Sequence, residues 1–158
     1  MIPDLELQNL KALFKSAFDK HGWKKKKRFY NLTTTENFIY HLSKIKDRAK
    51  RQLAYSNLNE YLVILNEIPE PGELDARSSD ELFAKYLQPL ITIYETRLGF
   101  VLFIPFPYLL FIFLFAELAA FGFKASLWIH LLIDFVFLSY AIYQLYKRKQ
   151  KKIYGLFV

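Results

Sequence analysis

Two long apolar runs dominate the hydrophobic pattern of the chain. Leu98 to Phe121 is almost unbroken Phe, Leu, Ile and Ala, and Ser126 to Tyr146 resumes the pattern after Gly122, Phe123, Lys124 and Ala125. At ~1.5 Å per residue the first run would make a helix of roughly 36 Å and the second one of roughly 31 Å, against a hydrocarbon thickness of ~30 Å. Each run is therefore expected to cross a bilayer, and the short link makes the two an antiparallel hairpin. Gly122 is expected to end the first helix and Ser126 to cap the second.

Upstream the pattern changes to helical periodicity with a polar face. Asp4 is placed to cap a first amphipathic helix, with Leu5, Leu10, Leu13, Phe14, Ala17 and Phe18 on one side, ending at His21 and Gly22. Thr33, Thr34, Thr35 and Glu36 resemble a helix start. Phe38, Ile39, Leu42, Ile45, Ala49, Leu53 and Ala54 then recur at helical spacing opposite Lys44, Lys46, Asp47, Arg48, Lys50 and Arg51. Ser56 to Asn59 is a candidate interruption, after which Tyr61 to Leu65 favours helix over strand. Pro69, Pro71 and Gly72 break the chain. Ser79, Asp80 and Glu81 can start a last helix, with Pro89 a kink, that would run on into the apolar run at Leu98. The expected fold class is all-α: a small cytosolic helical domain over 1–97, a two-helix transmembrane hairpin over 98–146 (spans at about 98–121 and 126–146), and a basic cytosolic tail over 147–158.

Charge orients this arrangement. Arg97 precedes the first run and Lys147, Arg148, Lys149, Lys151 and Lys152 follow the second, whereas the link offers only Lys124. The positive-inside rule then puts both termini in the cytoplasm and the protein in the cytoplasmic membrane as a multi-pass chain. Tyr140, Tyr143 and Tyr146 would form an inner aromatic belt, and Phe121, Phe123 and Trp128 an outer one. The start MIPDLELQ lacks the basic-then-apolar order of a cleavable signal, so the hairpin itself is the expected insertion signal.

The chain has 158 residues with a formal charge of +7, and what lies outside the hairpin suffices for one small domain. Positive charge collects between Lys20 and Arg51, acidic residues between Glu60 and Glu81. The run Lys24, Lys25, Lys26, Lys27 and Arg28, flanked by Trp23 and Phe29, suits an anionic lipid surface, each charge near it contributing ~1 kcal/mol. Lys147 to Lys152 suits the same surface. Nucleic-acid binding is disfavoured because no helix-turn-helix or zinc-finger pattern accompanies the basic run. The absence of cysteine removes disulfides, thiol catalysis and Cys-based metal sites.

Ionisable residues inside apolar runs are costly and so are the first candidates for function. Glu117 and His130 lie at similar distances from Lys124 and can face each other; Asp134 follows one turn on. His130, Asp134, Phe137, Ala141 and Gln144 recur at four-three spacing toward Arg148, a semipolar seam that suits a neighbouring helix, a second copy or water. Ala116 and Ala120 form a small-xxx-small pair, and Pro105 and Pro107 are expected to kink the first span or break its early turns. No nucleotide, hydrolase or metalloprotease motif is present, so no enzyme activity, cofactor or metal is expected. The expected function is a membrane-anchored protein-interaction or adaptor module that associates with itself or with another membrane protein. The alternative is a homo-oligomeric channel or membrane-disrupting effector gated by the cytosolic domain.

Overall fold

The computed structural model describes residues 4–21, 27–68 and 74–155, with the backbone alone at 4, 27 and 28. The expected cap at Asp4, Gly22, Lys24 to Lys26, the side chains of Lys27 and Arg28, and the break at Pro69 to Gly72 lie outside what is described. The chain is all-α in character. Its elements are α1 (Asp4–His21), a 3-10 turn, α2 (Leu32–His41), α3 (Arg48–Glu67), α4 (Ala76–Leu82), α5 (Gln88–Leu98), β1 (Val101–Leu102), α6 (Phe106–Gly122), α7 (Leu127–Lys149) and β2 (Ile153–Tyr154).

Helix α1 lies along α3, burying Leu10 and Ala17 fully against a core that includes Leu58, Leu62 and Leu65. Leu5, on its expected apolar side, remains 76% exposed. Asn66 of α3 donates to the Leu13 carbonyl at 3.1 Å and to Leu62 at 2.8 Å, which fixes how the two helices slide. The buried Tyr61 hydroxyl donates to the Tyr30 carbonyl at 2.9 Å, and burial pushes its phenol well above the usual range.

The long helix expected from Thr33 to Ala54 is two helices. α2 ends at His41, a 3-10 turn covers Leu42–Lys44, and Asp47 caps α3 by accepting from the Lys50 N–H at 3.2 Å. The apolar period survives this break because Leu42 and Ile45 remain buried through it. Conversely, the interruption expected at Ser56 to Asn59 does not occur. Leu58 is buried there and Asn57 donates outward to the Tyr86 carbonyl at 3.2 Å, so α3 runs on through Tyr61 to Leu65. α2 also starts without a threonine cap: Thr34 and Thr35 are buried within it.

The next helix starts earlier than Ser79, at Ala76, with Asp75 accepting from the Ser78 N–H at 2.7 Å. Ser79 is buried and donates to the Phe29 carbonyl. Before Pro89 the helix opens into a π turn over Phe83–Leu87, where the Gln88 N–H reaches back five residues to Phe83. The wider turn absorbs the proline's missing donor, so Pro89 produces a π turn at the α4–α5 junction.

Helix α5 stops at Leu98 and does not continue into the apolar run. Gly99, at φ 68, takes the left-handed conformation, and a Cβ there would lie 3.2 Å from Lys147 Nζ. One expectation changes with it, since 99–105 is not helical, and the segment after α7 docks at the same place. After α7, Lys151 adopts φ 55 and the Lys152 N–H donates back to the Lys147 carbonyl at 2.9 Å, ending the helix. The chain then forms β2, which pairs in parallel with β1, Val101 opposite Ile153 and Leu102 opposite Tyr154. Parallel strands need a long crossover, and here the crossover is the whole α6–α7 pair.

The returning segment is locked onto α2. Asn37 donates to the Ile153 carbonyl at 2.9 Å, Thr34 to the Gly155 carbonyl at 3.1 Å, and His41 Nε2 meets the Gln150 carbonyl at 3.0 Å. Burial lowers the His41 imidazole below its usual 6.5; the Gln150 hydrogen bond opposes this, and Lys44, Lys152 and Lys151 add to the lowering. The unfolded chain thus takes up a proton that the folded chain resists as pH falls below 6.5. Stability is expected to decline from about pH 7.5 to about pH 5.5 in the wild type. His41→Gln, which keeps a donor at the position of Nε2, should decline less over the same interval. Denaturation midpoints of the two proteins at both pH values measure the difference.

Candidate functional site

Helices α6 and α7 pack as an antiparallel pair yet leave most of their apolar surface uncovered. Phe111, Phe115, Trp128 and Phe135 are 68 to 79% exposed, in contrast to the domain core, where Phe38, Leu58 and Leu62 are fully buried. Helix α7 is long and apolar enough to cross a membrane; α6 is apolar but has 17 residues. The contact between them is aromatic and small, with Phe113 and Phe137 rings 4.5 Å apart and Ala120 buried. An apolar groove of about 430 Å³ runs beside this contact, with Ala116, Val136 and Tyr140 among its walls.

The polar residues expected as one seam separate into three places. Glu117 Oε2 and His130 Nδ1 share a hydrogen bond at 2.6 Å, joining α6 to α7 near the turn. Glu117 Oε1 is buried without a partner among the described residues. Asp134, by contrast, is exposed and forms no hydrogen bond or ion pair among the described residues. The reason is helical phase. At ~100° per residue, the side of α7 that meets α6 carries His130, Ile133, Phe137, Tyr140 and Gln144, and Asp134 lies roughly 80° from the centre of that side.

Gln144 does something local. It is buried, donating to the Leu102 carbonyl at 3.0 Å and to the Tyr140 hydroxyl at 2.8 Å. It therefore satisfies a backbone carbonyl where β1 leaves the domain. Pro105 and Pro107 do not kink α6. Pro105 is its N-cap, accepting from Tyr108 and Leu109, and Pro107 occupies the first turn, where a missing N–H costs nothing. Gly122 is the last residue of α6, as expected, and Lys124 beyond it takes the left-handed conformation at φ 52.

The basic residues after Tyr146 are engaged in closing the neck. Lys147 Nζ donates to the Gly99 carbonyl at 2.7 Å, Arg148 lies 5.6 Å from the Phe103 ring centroid, and Lys151 pairs with Glu36. Lys149 is exposed and Lys152 half-buried. Sequence reasoning missed a second basic feature: Lys44, Lys46 and Arg97 line an open cavity of about 400 Å³ with Asp47. They come from the turn after α2 and the end of α5, so no local pattern could join them. Among the described residues no three His, Asp or Glu side chains gather as a metal ion would require.

Comparison with protein-family models, curated proteins and solved structures finds no match to this chain.

Gln144→Leu should leave the Leu102 carbonyl without its donor in an apolar setting, a loss of about 1–3 kcal/mol. Thermal unfolding in detergent should register it as a lower Tm, at about 2–4 °C per kcal/mol for a chain of this size.

Proposed function

We propose that the chain is a membrane-anchored interaction module: α6 and α7 form a two-helix hairpin across the cytoplasmic membrane, and the helical domain faces the cytoplasm. The observation that carries this reading is the uncovered apolar surface over most of α6 and α7, bounded by charge at the neck. The length of α6 is compatible. Its 17 residues rise ~25 Å, and the non-helical Phe103, Ile104 and Pro105 add roughly 10 Å, sufficient for a ~30 Å core.

The neck suits a headgroup layer. Lys147, Arg148 and Lys149 end α7, and Arg97, Lys44 and Lys46 surround a cavity at the same junction, so anionic lipid would meet positive charge on this side. Lys24 to Arg28 are proposed to add to that attraction. Polar groups that hydrogen-bond in separate places, at the turn and at the neck, favour an anchor over a continuous polar path for ions. The interaction role falls to the domain surface and the outer face of the hairpin.

Because the natural chain has no cysteine, single cysteines report topology cleanly. In intact cells, Lys124→Cys should react with a membrane-impermeant maleimide from outside, whereas Ser43→Cys should react only after permeabilisation. The chain should also remain in the membrane pellet after alkaline carbonate extraction. Extraction into the supernatant, or labelling of both positions from one side, would sink the hairpin reading.

A further inference from the structure

The turn between α2 and α3 and the last turn of α5 together build a basic hollow beside the neck. Ile45 is extended and buried in the domain core. Neighbours in an extended segment project to opposite sides, so burying Ile45 turns Lys44 and Lys46 outward on one side. Arg97 reaches the same place from α5, two residues before Gly99, and with Asp47 these cations line the open cavity of about 400 Å³. The Asp47 carboxylate accepts from the Lys50 N–H at the start of α3, and none of the three cations forms an ion pair among the described residues. Three cations against one carboxylate leave a surplus of two positive charges.

We propose that this hollow binds the phosphate monoester headgroup of an anionic membrane lipid, one per chain. The inference rests on the membrane reading above, which sets the neck among headgroups. A phosphate monoester carries about −1.5 to −2 at neutral pH, which matches the surplus, whereas a phosphodiester carries a single charge. A guanidinium offers two parallel N–H donors to phosphate oxygens and an ammonium acts as a point charge. Arg97 therefore fixes the orientation of the phosphate, and Lys44 and Lys46 attract it from the facing turn. Beside the hollow Tyr40 is 57% exposed, with Lys44 Nζ 5.4 Å from its ring centroid, an aromatic and cationic pair suited to a membrane surface. At the neck itself Lys147 donates to the Gly99 carbonyl and Lys151 pairs with Glu36, whereas in the hollow three unpaired cations converge.

Native mass spectrometry of the full-length chain, purified in a non-ionic detergent and titrated with lipid, tests the site. The chain should retain one dioleoyl phosphatidic acid at least about tenfold more tightly than dioleoyl phosphatidylglycerol, a diester with the same tails. Arg97→Gln and Lys46→Gln should each weaken phosphatidic acid retention about fivefold or more with the unfolding midpoint unchanged, because both side chains are exposed. Lys149→Gln, which removes a neck charge outside the hollow, should leave retention within about twofold. Equal affinity for the two lipids, or an equal effect of Lys149→Gln and Arg97→Gln, would overturn the site and leave a diffuse basic surface. Displacement of the lipid by an equal concentration of glycerol phosphate would overturn the lipid as the source of the phosphate. Carbonate extraction judges the hairpin separately: resistant chain that fails to discriminate the lipids overturns this inference alone, and chain found only in the soluble fraction overturns both.

Discussion

The structure depends on how the backbone is satisfied where the chain passes between its polar domain and its apolar hairpin. Strand edges and helix ends at such a border have no water to fall back on once surrounded by hydrocarbon. Here β1 gives and receives hydrogen bonds with the segment after α7: the Val101 N–H donates to Lys152 and the Phe103 N–H to Tyr154. The groups β2 cannot reach are met by α7 itself, through Gln144 on Leu102 and Lys147 on Gly99. A hairpin entering at 103 and leaving at 150 is thus tied to the domain at both ends.

Beneath the neck lies an aromatic cluster that gives it a firm base. Phe38 stacks on Tyr94 with centroids 4.1 Å apart, and Phe100 meets Phe38, Tyr94 and His41 edgewise or tilted within 5.5 Å. The Tyr94 hydroxyl donates to the Phe38 carbonyl at 2.8 Å, so this polar group is paired within the cluster. Burial pushes this phenol above its usual range, which keeps it a neutral donor. Because α5 ends at Gly99, a displacement of α5 reaches the hairpin through this cluster and the β1–β2 pair, and not along a continuous helical rod.

Periodicity revealed the helices better than it revealed their ends. The apolar faces of α2, α3 and α5 are legible because burial demands a repeating stripe, and the buried Phe38, Ala54 and Leu90 fall on it. The break between α2 and α3 is not legible, since a 3-10 turn and three extended residues return the chain to the same face. The prolines illustrate a second limit. Proline excludes an interior donor, but the same residue suits a first turn, and only the hydrogen bonds of Pro105 distinguish the two. The docked tail was hidden for a third reason. Ile153, Tyr154 and Gly155 form too short a segment for any period, and their partners Asn37 and Thr34 are over a hundred residues away.

The candidate polar residues were all visible as residues, but a seam read at four-three spacing leaves open which side of the helix it describes. His130 begins both the stripe through Ile133 and Phe137 and the one through Asp134 and Ala141, and only the location of α6 separates them. That separation changes the energetic meaning of each group. Glu117 and His130 hydrogen-bond to each other at 2.6 Å across the two helices. Gln144 exchanges solvation for two hydrogen bonds. Asp134 has no such exchange among the described residues, and a carboxylate near the middle of a spanning helix costs about 3 kcal/mol to insert. A leucine would remove that cost at once. On the proposed topology, the hairpin therefore hydrogen-bonds Glu117 to His130 at the turn and Gln144 at the neck, with Glu117 Oε1 and Gln144 Oε1 left without a partner among the described residues, and exposes Asp134 on a flank of α7.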